Sequence, residues 1–140
     1  MTTLFLALML AAAPVEFWTG SELRTSAQAL TAEAEAQPMA GKTFGAASVW
    51  RRAKSGNAEL HKTKVDLLVI EEGSATLQYG GAIVGAHATQ PNEIRGTAIQ
   101  GGESRKVVAG DIVRIPANTP HRFVLEKGQS VAYFALKLAR

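Results

Sequence analysis

Residues 110–123, GDIVRIPANTPHRF, combine a Gly-Asp turn, a short apolar strand, two prolines and a histidine. Proline fixes φ and stiffens the backbone around it, so Pro116 and Pro120 predict a rigid loop that presents His121 in one orientation. A histidine held in this way is typical of a metal ligand, whereas an isolated turn histidine is usually only a polar surface residue. The rest of the chain has to decide between these two interpretations.

The same segment belongs to a series of short apolar runs that begins at Lys42. Gly, Pro and Asn separate these runs, several of which are rich in β-branched residues. Short strands at such regular spacing are typical of a β-sandwich or barrel and not of a parallel sheet with helices. We therefore expect a mostly β domain over residues 42–140. Tight turns with positive φ are predicted at Glu72-Gly73, Gly80-Gly81 and Lys127-Gly128, and a longer connection between Gly85 and Val107.

One helix is predicted ahead of this domain, over residues 19–41. Thr19 or Ser21 can cap its N-terminus, while Pro38 and Gly41 are expected to end it. Its apolar stripe is narrow and rich in alanine, which is typical of a helix that packs on the outside of a larger body.

An export segment is predicted over residues 1–18. Residues 4–13, LFLALMLAAA, form an apolar run that is too short to span a bilayer but has the length of a signal-peptide core. We therefore expect an exported protein, periplasmic or secreted, with no membrane span once the segment is removed. The alternative is a cytoplasmic protein in which this run forms a buried helix.

The composition narrows the functional classes. The chain has 140 residues, the length of one domain, and its 46% hydrophobic and 19% charged residues are typical of a globular protein. The net charge is +3 and the basic residues are scattered, which argues against nucleic acid as a partner. Cysteine is absent, so thiolate metal sites and cysteine nucleophiles are excluded. Any catalysis must use His, carboxylates, Arg, Tyr or a metal.

Two histidines and two carboxylates are candidates for a single site. Side chains alternate across a strand, so Glu59 and His61 point to the same face. If this face lines the inside of a barrel, Asp66 on the next strand converges with them near one end. His121, from a distant strand, would complete the set. Two imidazoles with carboxylates suit a first-row divalent metal such as Mn, Fe, Ni or Zn.

These residues also resemble the two short motifs of the cupins, a superfamily of small β-barrels. The second cupin motif reads Gly, five residues, Pro, one residue, Gly, two residues, His, three residues and Asn. Residues 110–121 match this spacing, with Asn118 in place of the second Gly and Leu125 in place of the final Asn. Asn is the non-glycine residue that best tolerates a left-handed backbone, so the turn is expected to persist.

The first cupin motif reads His, one residue, His, three or four residues, Glu, six residues and Gly. Glu59, His61, Asp66 and Gly73 stand at these places, with the spacing kept and two ligand types changed. The resemblance covers roughly residues 45–138. It implies a cupin-type antiparallel β-barrel, or jelly roll, and a homodimer. It also implies a divalent transition metal (Mn, Fe, Ni or Zn) held by Glu59, His61, Asp66 and His121.

The sequence leaves the function between two classes and does not decide whether the protein is an enzyme. One hypothesis is a metal-binding cupin that takes a small organic ligand, a carboxylate or sugar-like molecule, at the barrel mouth and catalyses isomerase, lyase or dioxygenase-type chemistry. Arg51, Tyr79 and Arg95 are the candidate ligand-binding residues, since an arginine near a metal can bind a carboxylate bidentately. The alternative is a non-catalytic, exported ligand-binding or interaction module with a degenerate metal site.

Overall fold

The structure, a computed structural model, describes residues 17–30, 34–38 and 46–140. A mostly β fold with one N-terminal helix is confirmed, whereas residues 1–16 of the predicted export segment lie outside the described residues. Among the described residues we find no helix with the length and apolar character needed to cross a membrane. The elements are α1 (Gly20–Ala29), β1 (Ala34–Pro38), β2 (Ala46–Arg52), β3 (Ala58–His61), β4 (Lys64–Tyr79), β5 (Ala82–Val84), β6 (His87–Gln90), β7 (Glu93–Gly96), β8 (Ala98–Gln100), β9 (Glu103–Val108), β10 (Ile112–Ile115), β11 (His121–Val124) and β12 (Val131–Ala139).

Two sheets face each other and share the long strand β4. Residues 64–73 of β4 pair with β12, and β10 pairs with part of the same stretch. Residues 74–79 pair with β9 and β11. The first sheet continues from β12 to β2 and β1, and the second continues from β11 to β3, β7 and β6. β4 therefore passes from one sheet into the other, which is how a jelly-roll barrel is closed.

Gly73 lies inside β4, so the predicted tight turn at Glu72-Gly73 is wrong. Its φ of +72° is positive, as expected, but this conformation allows β4 to cross from one sheet to the other. The Ser74 N–H donates to the Ser130 carbonyl over 3.1 Å, and a Cβ on Gly73 would lie 2.0 Å from that oxygen. Only glycine fits here, because a side chain would collide with the backbone of a neighbouring segment.

The predicted long connection between Gly85 and Val107 is mostly strand. It contains β6, β7, β8 and most of β9, and β7 pairs with the whole of β3. Three of these strands have only three or four residues each, so their pattern is too short to identify from sequence. The other two predicted turns, at Gly80-Gly81 and Lys127-Gly128, are confirmed by positive φ at all three glycines.

The helix α1 begins as predicted and ends earlier. Thr19 caps it through a reciprocal pair of hydrogen bonds with Glu22, a capping box. Leu30 is already extended, and residues 34–38 form β1, which pairs with β2. The predicted helix over residues 19–41 is therefore too long. Pairing with the first sheet satisfies the backbone of residues 34–38 and overrides the helix propensity of this Ala- and Glu-rich segment.

The main core fills the space between the sheets, and α1 covers the outside of the first sheet. Leu23 and Ala27 of α1 belong to a cluster with Val49 and Ala132. Since side chains alternate along a strand, the residues beside these two, such as Tyr133, point into the barrel. The buried members of the main core are Leu68, Ile70, Ala75, Leu77, Val107, Ile115, Phe123, Val131, Tyr133 and Ala135.

Candidate metal centre

The four side chains predicted to hold a metal converge at one end of the barrel interior. Glu59 and His61 lie on β3, Asp66 lies near the start of β4, and His121 is the first residue of β11. The strand register places Glu59 directly opposite His121. His61, Asp66 and His121 are only 3%, 5% and 5% exposed. Burying three ionisable groups at one place is costly unless they are paired, so their mutual contacts matter.

Glu59, His61 and His121 each offer a donor atom within 4.8 Å of the other two, which is close enough to share one ion. Asp66 Oδ2 is 3.2 Å from His61 Nε2 and 3.3 Å from His121 Nε2. The Glu59 carboxylate lies 3.8 Å and 3.7 Å from the same two nitrogens. Two ligands at about 2.1 Å from a metal and at right angles to each other are about 3 Å apart. The spacing therefore fits a first-row divalent ion, for which this donor set is suitable.

Both imidazoles are oriented by hydrogen bonds on the side away from the cluster. His121 Nδ1 lies 2.9 Å from the Thr119 carbonyl, and His61 Nδ1 contacts the Glu93 carboxylate. Both partners are acceptors, so each Nδ1 carries the proton of the neutral ring. This leaves the Nε2 lone pair of each ring directed into the cluster. Partners of this kind fix the tautomer of metal-binding histidines and strengthen the ring as a ligand.

The loop before His121 has the conformation that the sequence predicts. Asn118 has a φ of +63°, in the left-handed region expected at this glycine position. Its N–H donates to the His61 carbonyl over 2.8 Å, and the Gly80 N–H donates to the Pro120 carbonyl over 2.9 Å. The loop is therefore tied to β3 and to the end of β4, which fixes His121 relative to His61.

Two further charged residues, missed by sequence reasoning, complete the cluster. Glu93 comes from β7, inside the stretch expected to be a connection. Lys137 comes from β12, and its Nζ lies 2.6 Å from His61 Nε2 and 2.8 Å from Asp66 Oδ1. The sequence feature that indicates Lys137 is the alternation of side chains along the last strand. This alternation places Tyr133, Ala135 and Lys137 on the same inward face.

The electrostatics of the cluster keep Asp66 ionised. Burial by itself would raise the pKa of Asp66, but its close contacts with His121, His61 and Lys137 outweigh burial and hold this pKa well below its usual range. Burial likewise acts to lower the pKa of His61, but the close contact with Asp66 and the negative charge of Asp66 prevail and raise it above 6.5. Asp66 thus provides a permanent negative charge between the two rings, suited to hold a cation.

A small cavity of about 60 Å³ opens beside the cluster. Arg52, Arg95 and Lys137 contribute to its wall, together with Tyr133. Arg95 Nη1 donates to the Glu59 carboxylate over 2.7 Å, and Arg52 Nε donates to the Tyr133 hydroxyl over 2.8 Å. Together with Arg122, four cationic side chains therefore line a space that is also lined by the candidate metal ligands Glu59, Asp66 and His121.

Of the three residues predicted to bind a ligand, the structure brings only Arg95 to this cavity. Arg51 Nη1 reaches the Leu30 carbonyl at 3.4 Å, on the outer side of the first sheet. The Tyr79 hydroxyl donates to Glu103 over 2.8 Å, toward β9 and away from β11. Arg52, one residue from Arg51, lines the cavity instead. Arg51 and Arg52 point to opposite faces of β2, and the sequence pattern of this strand did not specify which face is inward.

No protein-family sequence model matches the chain, and no curated protein sequence does either. Several solved structures are similar. A conserved protein with a double-stranded β-helix domain from Klebsiella pneumoniae gives a TM-score of 0.60 at 11% identity, covering 90% of this chain and 91% of that chain. The polyketide cyclase RemF from Streptomyces resistomycificus gives 0.53 at 17% identity, covering 75% and 64%. A sugar phosphate isomerase of the cupin superfamily from Silicibacter pomeroyi gives 0.53 at 13% identity, covering 77% and 60%.

The chain spans less than two thirds of the length of the last two structures. At identities this low the likeness concerns the fold alone, and it agrees with the two antiparallel sheets joined by β4. It also agrees with the motif spacing at residues 59–73 and 110–121. The protein therefore has a small cupin-type, double-stranded β-helix fold.

Proposed function

We propose that this protein binds one divalent transition metal and, next to it, a small anionic organic molecule. The observation that carries the proposal is the arrangement of the two imidazoles. Nε2 of His61 and Nε2 of His121 both lie within 3.3 Å of Asp66 Oδ2, while each Nδ1 is held by an acceptor outside the cluster. Such an arrangement of lone pairs and outer partners is typical of metal-binding histidines.

The proposed ligands are Glu59, His61, Asp66 and His121, and the ion is Mn, Fe, Ni or Zn in the divalent state. When bound, such an ion supplies Lewis-acid polarisation of an oxygen atom of the organic molecule. The role of Arg95 in the proposal is to hold the Glu59 carboxylate in place. Arg52 keeps the Tyr133 hydroxyl fixed at the cavity wall, where it can orient a bound molecule.

The charge of the cavity wall favours a carboxylate as the organic ligand. Arg52, Arg95 and Lys137 border the cavity, and guanidinium groups bind carboxylates bidentately. A sugar-like molecule with an acidic group would meet the same requirement. The similar structures include a polyketide cyclase and a sugar phosphate isomerase, both named for reactions of small organic molecules. Isomerase and lyase chemistry are therefore proposed ahead of dioxygenase chemistry.

A second candidate function is a non-catalytic binding module with a degenerate metal site. The position of Lys137 favours it, since the lysine nitrogen contacts both His61 and Asp66 where a metal would bind them. In this alternative the charged residues form a closed polar network, and the cavity recognises a ligand without turnover. Metal content separates the two candidates. Export of the protein and formation of a homodimer both stay predictions.

Metal analysis is the experiment that tests the proposed function. Protein purified without chelators, or refolded with Mn²⁺, Fe²⁺, Ni²⁺ or Zn²⁺, is expected to retain about one ion per chain, because the cluster offers one set of converging donors. Retention is expected to fall as the pH drops below about 6.5, since the pKa of His61 is raised above this value and a protonated imidazole has no lone pair to offer. Asp66 stays ionised there, so the loss should follow histidine protonation. Elemental analysis that finds no ion under any of these conditions would contradict the proposal and favour the second candidate.

Glu93 is expected to act on the metal through His61. The variant Glu93→Gln should weaken metal binding by about 10- to 100-fold, because the amide is a poorer acceptor for the His61 Nδ1–H and no longer fixes the ring. A titration against a fluorescent chelator measures this change. Glu103→Gln on β9 is the control, since Glu103 contacts Tyr79 and not the cluster. Equal affinity in the two variants would mean that Glu93 does not position the ring.

A further inference from the structure

The position of Lys137 is fixed by the backbone. On β12, Tyr133, Ala135 and Lys137 alternate onto the inward face, and Tyr133 and Ala135 are buried in the main core. The strand register pairs Lys137 directly with Asp66 on β4. Residues that are paired in this way have their side chains on the same face of the sheet. Lys137 thus enters the cluster because of its place in the sheet, and not as a surface side chain that happens to fold inward.

Lys137 contacts two residues of the proposed metal site, and at His61 it uses the same atom that a metal would use. Its Nζ lies 2.6 Å from His61 Nε2 and 2.8 Å from Asp66 Oδ1. A lysine ammonium has three N–H donors and no acceptor, so it cannot itself be a metal ligand. His61 Nε2 has a single lone pair, because Nδ1 carries the ring proton. That lone pair can accept a hydrogen bond from Lys137 or bind a metal, but it cannot do both.

We infer that Lys137 is an internal competitor of the metal, so that its amino group and the ion occupy the His61–Asp66 position in turn. This inference rests on the proposed function, since it concerns the same metal site. In the absence of an ion, Lys137 balances the buried charge of Asp66 and engages the Nε2 lone pair of His61. When an ion binds, the amino group has to leave His61 and move toward the cavity.

The surroundings of Lys137 allow this exchange. Its side chain is 29% exposed, whereas that of Asp66 is 6% exposed, so the lysine can reach solvent while Asp66 stays in place. Lys137 also belongs to the cavity wall beside Arg95. After displacement its ammonium group would no longer be paired with Asp66 and could contact the organic anion that we propose binds in this cavity. The group that competes with the ion can therefore make a different contact once the ion is bound.

The direct test compares the metal affinity of the variant Lys137→Met with that of the wild type. Methionine keeps much of the length of the side chain but has no N–H donor, so the ion no longer competes with an ammonium. The affinity for Zn²⁺ or Mn²⁺, measured by chelator competition at pH 7.5, is expected to rise by about tenfold or more, the size expected if the displaced conformer is a minor population. Lys106→Met removes an exposed lysine on β9 and is expected to leave the affinity unchanged.

A second measurement uses the wild-type protein and does not depend on how well the variant folds. An amine-acylating reagent is applied with and without Zn²⁺, and the modification of each lysine is measured by mass spectrometry. Zn²⁺ is expected to increase acylation at Lys137 and to leave Lys106 unchanged. Equal metal affinity in wild type and Lys137→Met, or Lys137 labelling that Zn²⁺ does not raise, would overturn the inference while leaving the metal site intact. No metal binding by either folded protein would overturn the proposed function together with the inference.

Discussion

The variant His121→Ala is expected to lower the affinity of the protein for Zn²⁺ or Mn²⁺ by more than about 100-fold, a larger loss than removal of an outer partner causes. The change removes one of the two imidazoles and leaves His61 as the only nitrogen ligand among the four. It also removes one of the contacts that keep the pKa of Asp66 low. Chelator competition at pH 7.5 measures the affinity, and circular dichroism shows whether the barrel is still folded.

His87→Ala is the matched control for this experiment. His87 is exposed on β6, and its ring Nδ1 lies 3.0 Å from the nearby Gly85 carbonyl. The two variants remove the same chemical group, one inside the cluster and one outside it. We expect His87→Ala to bind metal as the wild type does. If both folded variants bound metal equally well, His121 would not be a ligand, and the proposed site would have to be abandoned.

The variant Gly73→Ala is expected to lower the free energy of unfolding by about 3 kcal/mol or more. An alanine Cβ would lie 2.0 Å from the Ser130 carbonyl oxygen, far inside van der Waals contact. That oxygen also accepts the Ser74 N–H, so it cannot move without breaking a backbone hydrogen bond. Urea denaturation followed by circular dichroism measures the loss.

Gly101→Ala separates the steric contribution from the cost of the backbone conformation. Gly101 has the same φ of +72°, but a Cβ there would meet no atom within 4 Å. Its replacement is therefore expected to cost only about 1 kcal/mol, the usual penalty for alanine in the left-handed region. Similar losses in the two variants would show that the passage of β4 between the sheets relaxes to accept a side chain.

Much of the fold follows from local chemistry in the sequence. The β-branched runs, the turn glycines and the capping residue Thr19 each act within a few residues, so the strands after Lys42 and the start of α1 could be predicted. Gly73 shows the limit of this reasoning. Its positive φ could be predicted, but the local sequence does not distinguish a glycine in a turn from a glycine where one strand crosses between sheets. The difference depends on Ser130, which is distant in the chain and comes close only in the folded structure.

In the candidate site, too, some residues could be predicted from the sequence and others could not. Glu59, His61, Asp66 and His121 could be predicted, because motif spacing and strand alternation place them together. Glu93 and Lys137 could not, since each reaches the cluster through pairing between strands: β7 with β3 and β12 with β4. Arg52 lines the cavity in place of Arg51, because the inward face of β2 depends on the position of α1. A single sequence does not specify these non-local relations.

The hydrogen bond from Asn118 to the His61 carbonyl has a consequence for the order of folding. It joins two segments more than fifty residues apart, so it forms only after a long loop has closed, at a considerable entropic cost. Long-range closures of this kind are slow steps in β-barrels. A partly folded chain that lacks either segment has no complete set of donors. An ion that binds here therefore favours only the fully assembled barrel, and it slows global unfolding without slowing the fraying of single strands.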